Sequence, residues 1–294
     1  MYEDISNSDP SAPIFDRREF LVSSIFAAGV FALAAQPIAA QTKITTDNQG
    51  LIEGEVKIPV NGGEIPAYRA MPDKKGKKFP VIMVVHEIFG VHEWIQDVCR
   101  RFAKLGFMAI APALYARQGD VKSIKEIREL QRDIYSKIPD DQSMSDLDAT
   151  IEYAKNSGSG NQKKVSITGF CWGGRIVWLY AAHNPKIKAG AAWYGRLVNG
   201  AQVNPLQPKA SIEYAKDLKV PVIGSYGALD NGITIDSINQ MRAELAKGKS
   251  KSEINIYPNA KHGFLADYRE SYNKEASEKA WASVLEWFKN HGAM

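Results

Sequence analysis

The chain has 294 residues, 45% hydrophobic and 24% charged, which excludes a disordered or fibrous polypeptide and leaves enough apolar surface for a large core. Its 37 basic and 33 acidic side chains give a formal net charge of only +4. The lysines are dispersed, with one short run in DKKGKK at 73–78, so a solvated surface is expected rather than a nucleic-acid groove.

The first forty residues read as an address. DRREFLV, from Asp16 to Val22, pairs Arg17 with Arg18 ahead of Phe20 and Leu21, and an Ala-rich apolar run continues to Ala35 before QPIAAQ. This pattern resembles a bacterial twin-arginine export signal cleaved near Ala40, so the export machinery is expected as a partner of the precursor and the periplasm as the destination. The run is shorter than the roughly 20 apolar residues of a spanning helix. Residues 1–40 hold two arginines against five acids, so the remainder carries 35 basic and 28 acidic side chains, a net of +7. Residues 41–51 then form a short lead-in, and 52–294 are expected to make one α/β domain acting as a monomer.

EGEVKIPV and EIPAYRAMP flank the turn signal NGG and predict a hairpin. FPVIMVV (79–85) is a continuous apolar run, as in a fully buried strand. In HEWIQDVCRRFAKLG, the residues Trp94, Ile95, Val98, Cys99, Phe102 and Leu105 recur at helical spacing. Cys99 is therefore expected in the core, not in a disulfide with Cys171. GFMAIAPAL predicts the next buried strand. SIKEIRELQRDIYSKI (123–138) and SMSDLDATIEYAKNS (143–157) predict two helices. Ser143 and Asp146 have the spacing of a capping box at the second.

Strands and helices then alternate. KVSITG leads to the GGRIVWLYAA helix, and KAGAAWYG is a strand. VPVIGSYGA and SEINIYPNA are strands, each followed after a loop by a helix, TIDSINQMRAELAKG and NKEASEKAWASVLEWFKNHG. The alternation predicts crossover connections and a mainly parallel sheet covered on both faces. Chemistry in such a sheet gathers beyond the carboxyl ends of its strands.

Gly169-Phe170-Cys171-Trp172-Gly173 lies at one such end and has the spacing of a nucleophile elbow with a thiol in the reactive position. The sharp turn needs glycine two residues to either side, and the helix N-terminus favours a thiolate. Elbow enzymes carry nucleophile, acid and histidine in that order. Three histidines follow Cys171: His183 at the end of the elbow helix, His291 near the C-terminus, and His262 in a loop after a strand. His262 is the candidate base. Asp230, after the VPVIGSYGA strand, is the candidate acid; Asp236 enters the next helix and Asp267 is close in sequence to His262. The oxyanion donors expected are the N–H of Trp172 and that of Ile88 in the early strand-end loop.

HEIFGVHEW, APALYARQGD, GFCWGGR, ALDNGI and HGF, in this order over roughly residues 52–290, resemble the dienelactone hydrolase family, the carboxymethylenebutenolidases of the α/β-hydrolase fold. The resemblance implies a Cys171-His262-Asp230 triad and a glutamate, Glu87, that touches the resting thiol and helps to ionise it. It also implies arginines that hold a substrate carboxylate. One matches Arg117. The other position, four residues after the histidine, is Ala266, with Arg269 three further on as a substitute. Ala113 stands where members often carry an acid. Tyr194 and Arg196 in AWYGRL are further pocket candidates. The expected activity is hydrolysis of a small ester or lactone through a thioester, with no metal or cofactor. Two other uses remain open, a peroxide-reactive or redox thiol and a non-catalytic binding protein on the same fold.

Overall fold

The computed structural model describes residues 44–124, 126–200 and 203–294. The export signal expected at 1–40 lies outside them. An eight-stranded sheet runs in the order β1-β2-β4-β3-β5-β6-β7-β8. β1 (Leu51–Val60) and β2 (Gly63–Pro72) form the expected hairpin, and β2 lies antiparallel to β4 (Met108–Pro112). All other pairings, through β3 (Phe79–Val85), β5 (Gly160–Phe170), β6 (Ala189–Trp193), β7 (Val222–Gly227) and β8 (Glu253–Tyr257), are parallel.

β4, β6 and β7 are buried along their whole length. Successive side chains of a strand point to opposite faces, so both faces of the sheet are covered. The covering helices are α1 (Glu93–Lys104), α2 (Ile127–Asp133), α3 (Asp140–Asn156), α4 (Trp172–His183), α5 (Ile235–Ala246) and α6 (Lys274–Asn290). α1 buries the face expected of it, including Trp94, Val98, Cys99 and Phe102, while Leu105 is the exposed C-cap. Both cysteines are free. Among the described residues no helix is long and apolar enough to cross a membrane.

Two local expectations are corrected. The helix expected over 123–138 is broken into α2 flanked by single 3₁₀ turns, Val121–Ser123 and Tyr135–Lys137. After Ile134 the hydrogen bonding tightens to Lys137 N–H donating to the Ile134 carbonyl at 3.0 Å, and this turn leaves both Ile134 and Ile138 buried. The capping box of Ser143 and Asp146 does not form. α3 starts three residues earlier, behind Pro139, with Asp140 and Asp141 in its first turn. Acidic side chains there complement the helix dipole, and Ser143 and Asp146 are buried within the helix.

The packing that positions the site is the approach of α4 to the ends of β3 and β5. A Cβ on Gly173 would lie 2.4 Å from the Val85 carbonyl oxygen, and one on Gly169 would lie 2.3 Å from the Gly173 oxygen. Neither partner is a side chain that can swing aside. Gly173→Ala is therefore expected to destabilise the protein by about 1–3 kcal/mol or more through overpacking. Gly200→Ala, with nothing within 4 Å of its Cβ among the described residues, is expected to leave the urea unfolding midpoint close to wild type. Equal midpoints for the two variants would refute this account of the close approach.

Candidate active site

β5 ends at Phe170, and α4 begins at Trp172. Cys171 makes the entire turn, with φ 54° and ψ −114°. A side chain at positive φ is strained by about 1–3 kcal/mol unless its surroundings impose the conformation. Here they do: Cys171 N–H donates to the Trp193 carbonyl at 3.0 Å, and its own carbonyl accepts from Gly174 N–H at 3.0 Å and Arg175 N–H at 3.3 Å. Anchored on both sides, the thiol projects beyond the sheet edge.

His262 and Asp230 arrive from the strand ends after β8 and β7. The two lie 2.7 Å apart, His262 Nδ1 to Asp230 Oδ2. Asp230 Oδ1 accepts from Gly232 N–H at 2.8 Å and Ile233 N–H at 3.1 Å, so the carboxylate is held from both oxygens. Because a carboxylate accepts, Nδ1 carries the proton. The Cys171 sulfur lies beside the imidazole, and the two border the same cavity. Burial opposes a charge on His262, but the sulfur and Asp230 outweigh it and push the group up to about 10. A raised histidine favours the folded state fully below its unfolded value near 6.5, and that contribution is lost as pH rises through 10. The other two histidines after Cys171 are engaged elsewhere: His183 Nε2 lies 2.8 Å from Asp148, and His291 Nδ1 lies 2.9 Å from the Trp287 carbonyl.

A cavity of about 60 Å³ adjoins Cys171 and His262, bordered by Ile88, Trp172, Tyr194 and Ile233. Trp172 is the first residue of α4, and the leading N–H groups of a helix have no intrahelical acceptor. Tyr194 is fully buried at φ 37°, with its ring edge-on to His262 at 5.1 Å. Its hydroxyl has no hydrogen-bond partner among the described residues. Burial holds that hydroxyl well above its ordinary titration range, so it remains a donor. Arg196 and Arg175 also border the cavity. Arg175 is committed to Asp140 through two bonds, of 2.6 and 2.7 Å.

Three expectations drawn from the resemblance meet a different arrangement. Glu87 is fully buried, and its carboxylate accepts from Arg269 at 2.9 Å and from the Tyr268 hydroxyl, with His92 Nε2 at 3.5 Å. The contact expected with the resting thiol is not among these bonds. Burial would raise its pKa, but the Arg269 charge, with His92 and Tyr268, holds Glu87 down at about 2. Arg269 is consumed by this pair and does not border the cavity beside Cys171. A buried carboxylate without its cation would cost several kcal/mol, so the pair forms internally. Arg117 likewise turns to the buried Asp146 of α3 and does not border that cavity. Sequence reasoning passed over Asp140, His92, Tyr268 and His86. The signal for His86 was present: it directly follows a fully buried strand, the same placement that singled out Asp230. Among the described residues no group of three His, Cys, Asp or Glu side chains could hold a metal ion.

A mainly parallel sheet with a strained nucleophile turn after β5, followed in chain order by an acid and a histidine, defines an α/β-hydrolase-fold protein. Residues 65–292 match the Dienelactone hydrolase family. The chain is 52% identical over 275 residues to a "Putative carboxymethylenebutenolidase" of Methylorubrum extorquens, covering 94% of this chain and 93% of that protein. It is 46% identical over 262 residues to one from Escherichia coli, covering 89% and 95%. A crystal structure of a "Putative Dienelactone Hydrolase" from Klebsiella pneumoniae superposes with a TM-score of 0.78 at 47% identity, covering 81% of this chain and 98% of that one. The chain belongs to the dienelactone hydrolase family and is a hydrolase.

The titration of His262 tests the geometry. Removing the sulfur in Cys171→Ala is expected to lower the His262 midpoint by about one pH unit or more, because a neighbouring anion stabilises imidazolium. The C2 proton shift followed by NMR across pH 5–11 reads this out, and an unmoved midpoint would mean that the sulfur does not face the ring.

Proposed function

We propose that this hydrolase cleaves small carboxylic esters or lactones through a Cys171 thioester. The observation that carries the reading is the aligned series of Asp230, His262 and Cys171 beside a cavity. Cys171 attacks the carbonyl carbon as a thiolate, its proton already held on His262 Nε2, in keeping with the raised imidazole. The carbonyl oxygen becomes an oxyanion, and the N–H groups of Trp172 and Ile88, two residues at the cavity border, are the donors assigned to it; one such donor is typically worth about 10²–10³ in rate. Collapse of the adduct expels the alkoxide, which takes the proton back from His262 and leaves a thioester. Water then attacks the thioester with His262 as base, releasing the acid and restoring the thiol. Asp230 holds the imidazole tautomer and stabilises imidazolium throughout.

The cavity of about 60 Å³ suits a small acyl group, with the Tyr194 hydroxyl as the polar contact. Arg196 borders the cavity and is the arginine we assign to a substrate anion by that position. A thiol nucleophile suits enol lactones and aryl esters, whose leaving groups need little protonation. We further propose that the enzyme works after export, on the strength of Arg17, Arg18 and the apolar run that follows. Lysine at both positions is expected to retain the protein inside the cell, as judged by fractionation.

A panel of 4-nitrophenyl acetate, neutral lactones and lactones bearing a carboxylate tests the chemistry. Wild type is expected to show turnover and an acyl adduct on Cys171 by mass spectrometry. Cys171→Ala is expected to lose both, and Asp230→Asn to lower kcat by roughly 10²–10⁴. Measurable ester turnover in Cys171→Ser would exclude a redox cycle, which needs sulfur. In Arg196→Ala only the acidic substrates should suffer. Absence of turnover by reduced wild-type protein across the panel would favour a binding role instead.

A further inference from the structure

We infer that His86 is a positioning residue for the oxyanion hole, holding the peptide that carries the Ile88 N–H. The inference rests on the ester-hydrolase reading and adds to it a residue outside the triad.

His86 follows β3 and is fully buried. Its two ring nitrogens have different partners. Leu114 N–H donates to Nε2 at 3.2 Å, and the Glu87 carbonyl lies 2.7 Å from Nδ1. A backbone N–H can only donate, so Nε2 is the acceptor. A carbonyl can only accept, so Nδ1 carries the hydrogen. The imidazole is thus a neutral ring in one tautomer. Burial pushes it down to about 4, against the opposing bond to Glu87.

The Glu87 carbonyl and the Ile88 N–H are two ends of one peptide group. A hydrogen bond to that carbonyl fixes the orientation of the peptide plane, and therefore the direction of the N–H at its far end. It also polarises the amide, since linked hydrogen bonds strengthen one another. Gly90 N–H, at 3.3 Å, is a second and longer donor to the same oxygen. The His86 ring reaches the other proposed donor by packing, stacked on Trp172 with centroids 5.6 Å apart and planes at 21°. Tyr115 closes the far side edge-on at 4.7 Å. One side chain therefore ties together the loop after β3, the loop after β4 and the first residue of α4. An oxyanion hole needs its two N–H groups to keep a fixed separation and direction, and this arrangement supplies it.

The test separates attack by sulfur from stabilisation of an oxyanion. Alkylation of Cys171 by iodoacetamide needs the thiolate but forms no oxyanion, whereas acylation by 4-nitrophenyl acetate needs both. His86→Leu is expected to lower kcat for the ester about 10–100-fold, with KM within about threefold and the alkylation rate within about twofold of wild type. His86→Asn, which keeps an N–H near the Nδ1 position, is expected to recover most of kcat. His86→Gln extends its amide toward the Nε2 position and keeps the Leu114 bond instead, so it should stay slower than His86→Asn. That ordering decides the matter even if His86→Leu does not fold. Equal rates for Asn and Gln, an undiminished kcat in folded His86→Leu, or a parallel loss of alkylation would overturn the inference. Failure of wild type itself to turn over esters would instead strike the ester-hydrolase reading, and shows before any variant is made.

Discussion

The site depends on a single backbone conformation, the positive φ of Cys171. A strand that ends pointing across the sheet and a helix that must start at once can be joined in one residue only if that residue accepts strain. The carbonyl of Trp193 and two N–H groups of α4 hold it there. Close backbone approach at Gly169 and Gly173 leaves no room for a looser turn. The groups that hold the turn lie on β6, which is buried throughout, and on the buried first turn of α4. Everything else in the site is placed relative to the sulfur that this turn exposes.

A second constraint is charge burial. Three carboxylates lie in or near the site, and each is neutralised differently. Asp230 takes two backbone N–H groups and the His262 imidazole. Glu87 takes Arg269 and Tyr268, and Asp146 takes Arg117. The first arrangement leaves the imidazole beside Cys171 at the cavity. The other two leave saturated ion pairs that no longer serve a ligand. Their low-dielectric surroundings make the pairs hard to open, because an uncompensated buried charge costs several kcal/mol. This is why Arg117 and Arg269 are held on carboxylates of the protein in the resting structure.

Much of this was readable in the sequence because local rules govern it. The apolar run 79–85 could only be a buried strand, and the glycine spacing around Cys171 could be read without any tertiary information. The alternation of strands and helices implied the sheet, chain order left three histidines after Cys171, and the loop after a strand singled out His262. Local rules also failed at particular places. Ser143 and Asp146 have capping spacing, yet α3 starts earlier because Asp140 and Asp141 suit its dipole. The apolar period over 123–138 is helical, yet it does not record where the hydrogen bonding tightens to a 3₁₀ turn.

The class of fold, the tight turn at Cys171 and the strand-end positions of Asp230 and His262 are legible in the chain alone. Each is specified by side-chain periodicity, by glycine sterics or by position at a strand end, all properties of short segments. Only the tertiary structure decided which acid meets which base. Arg269 could serve a substrate or Glu87, and Arg117 could serve a substrate or Asp146. Those choices are settled by contacts between segments up to 182 residues apart, where desolvation, not local propensity, selects the partner.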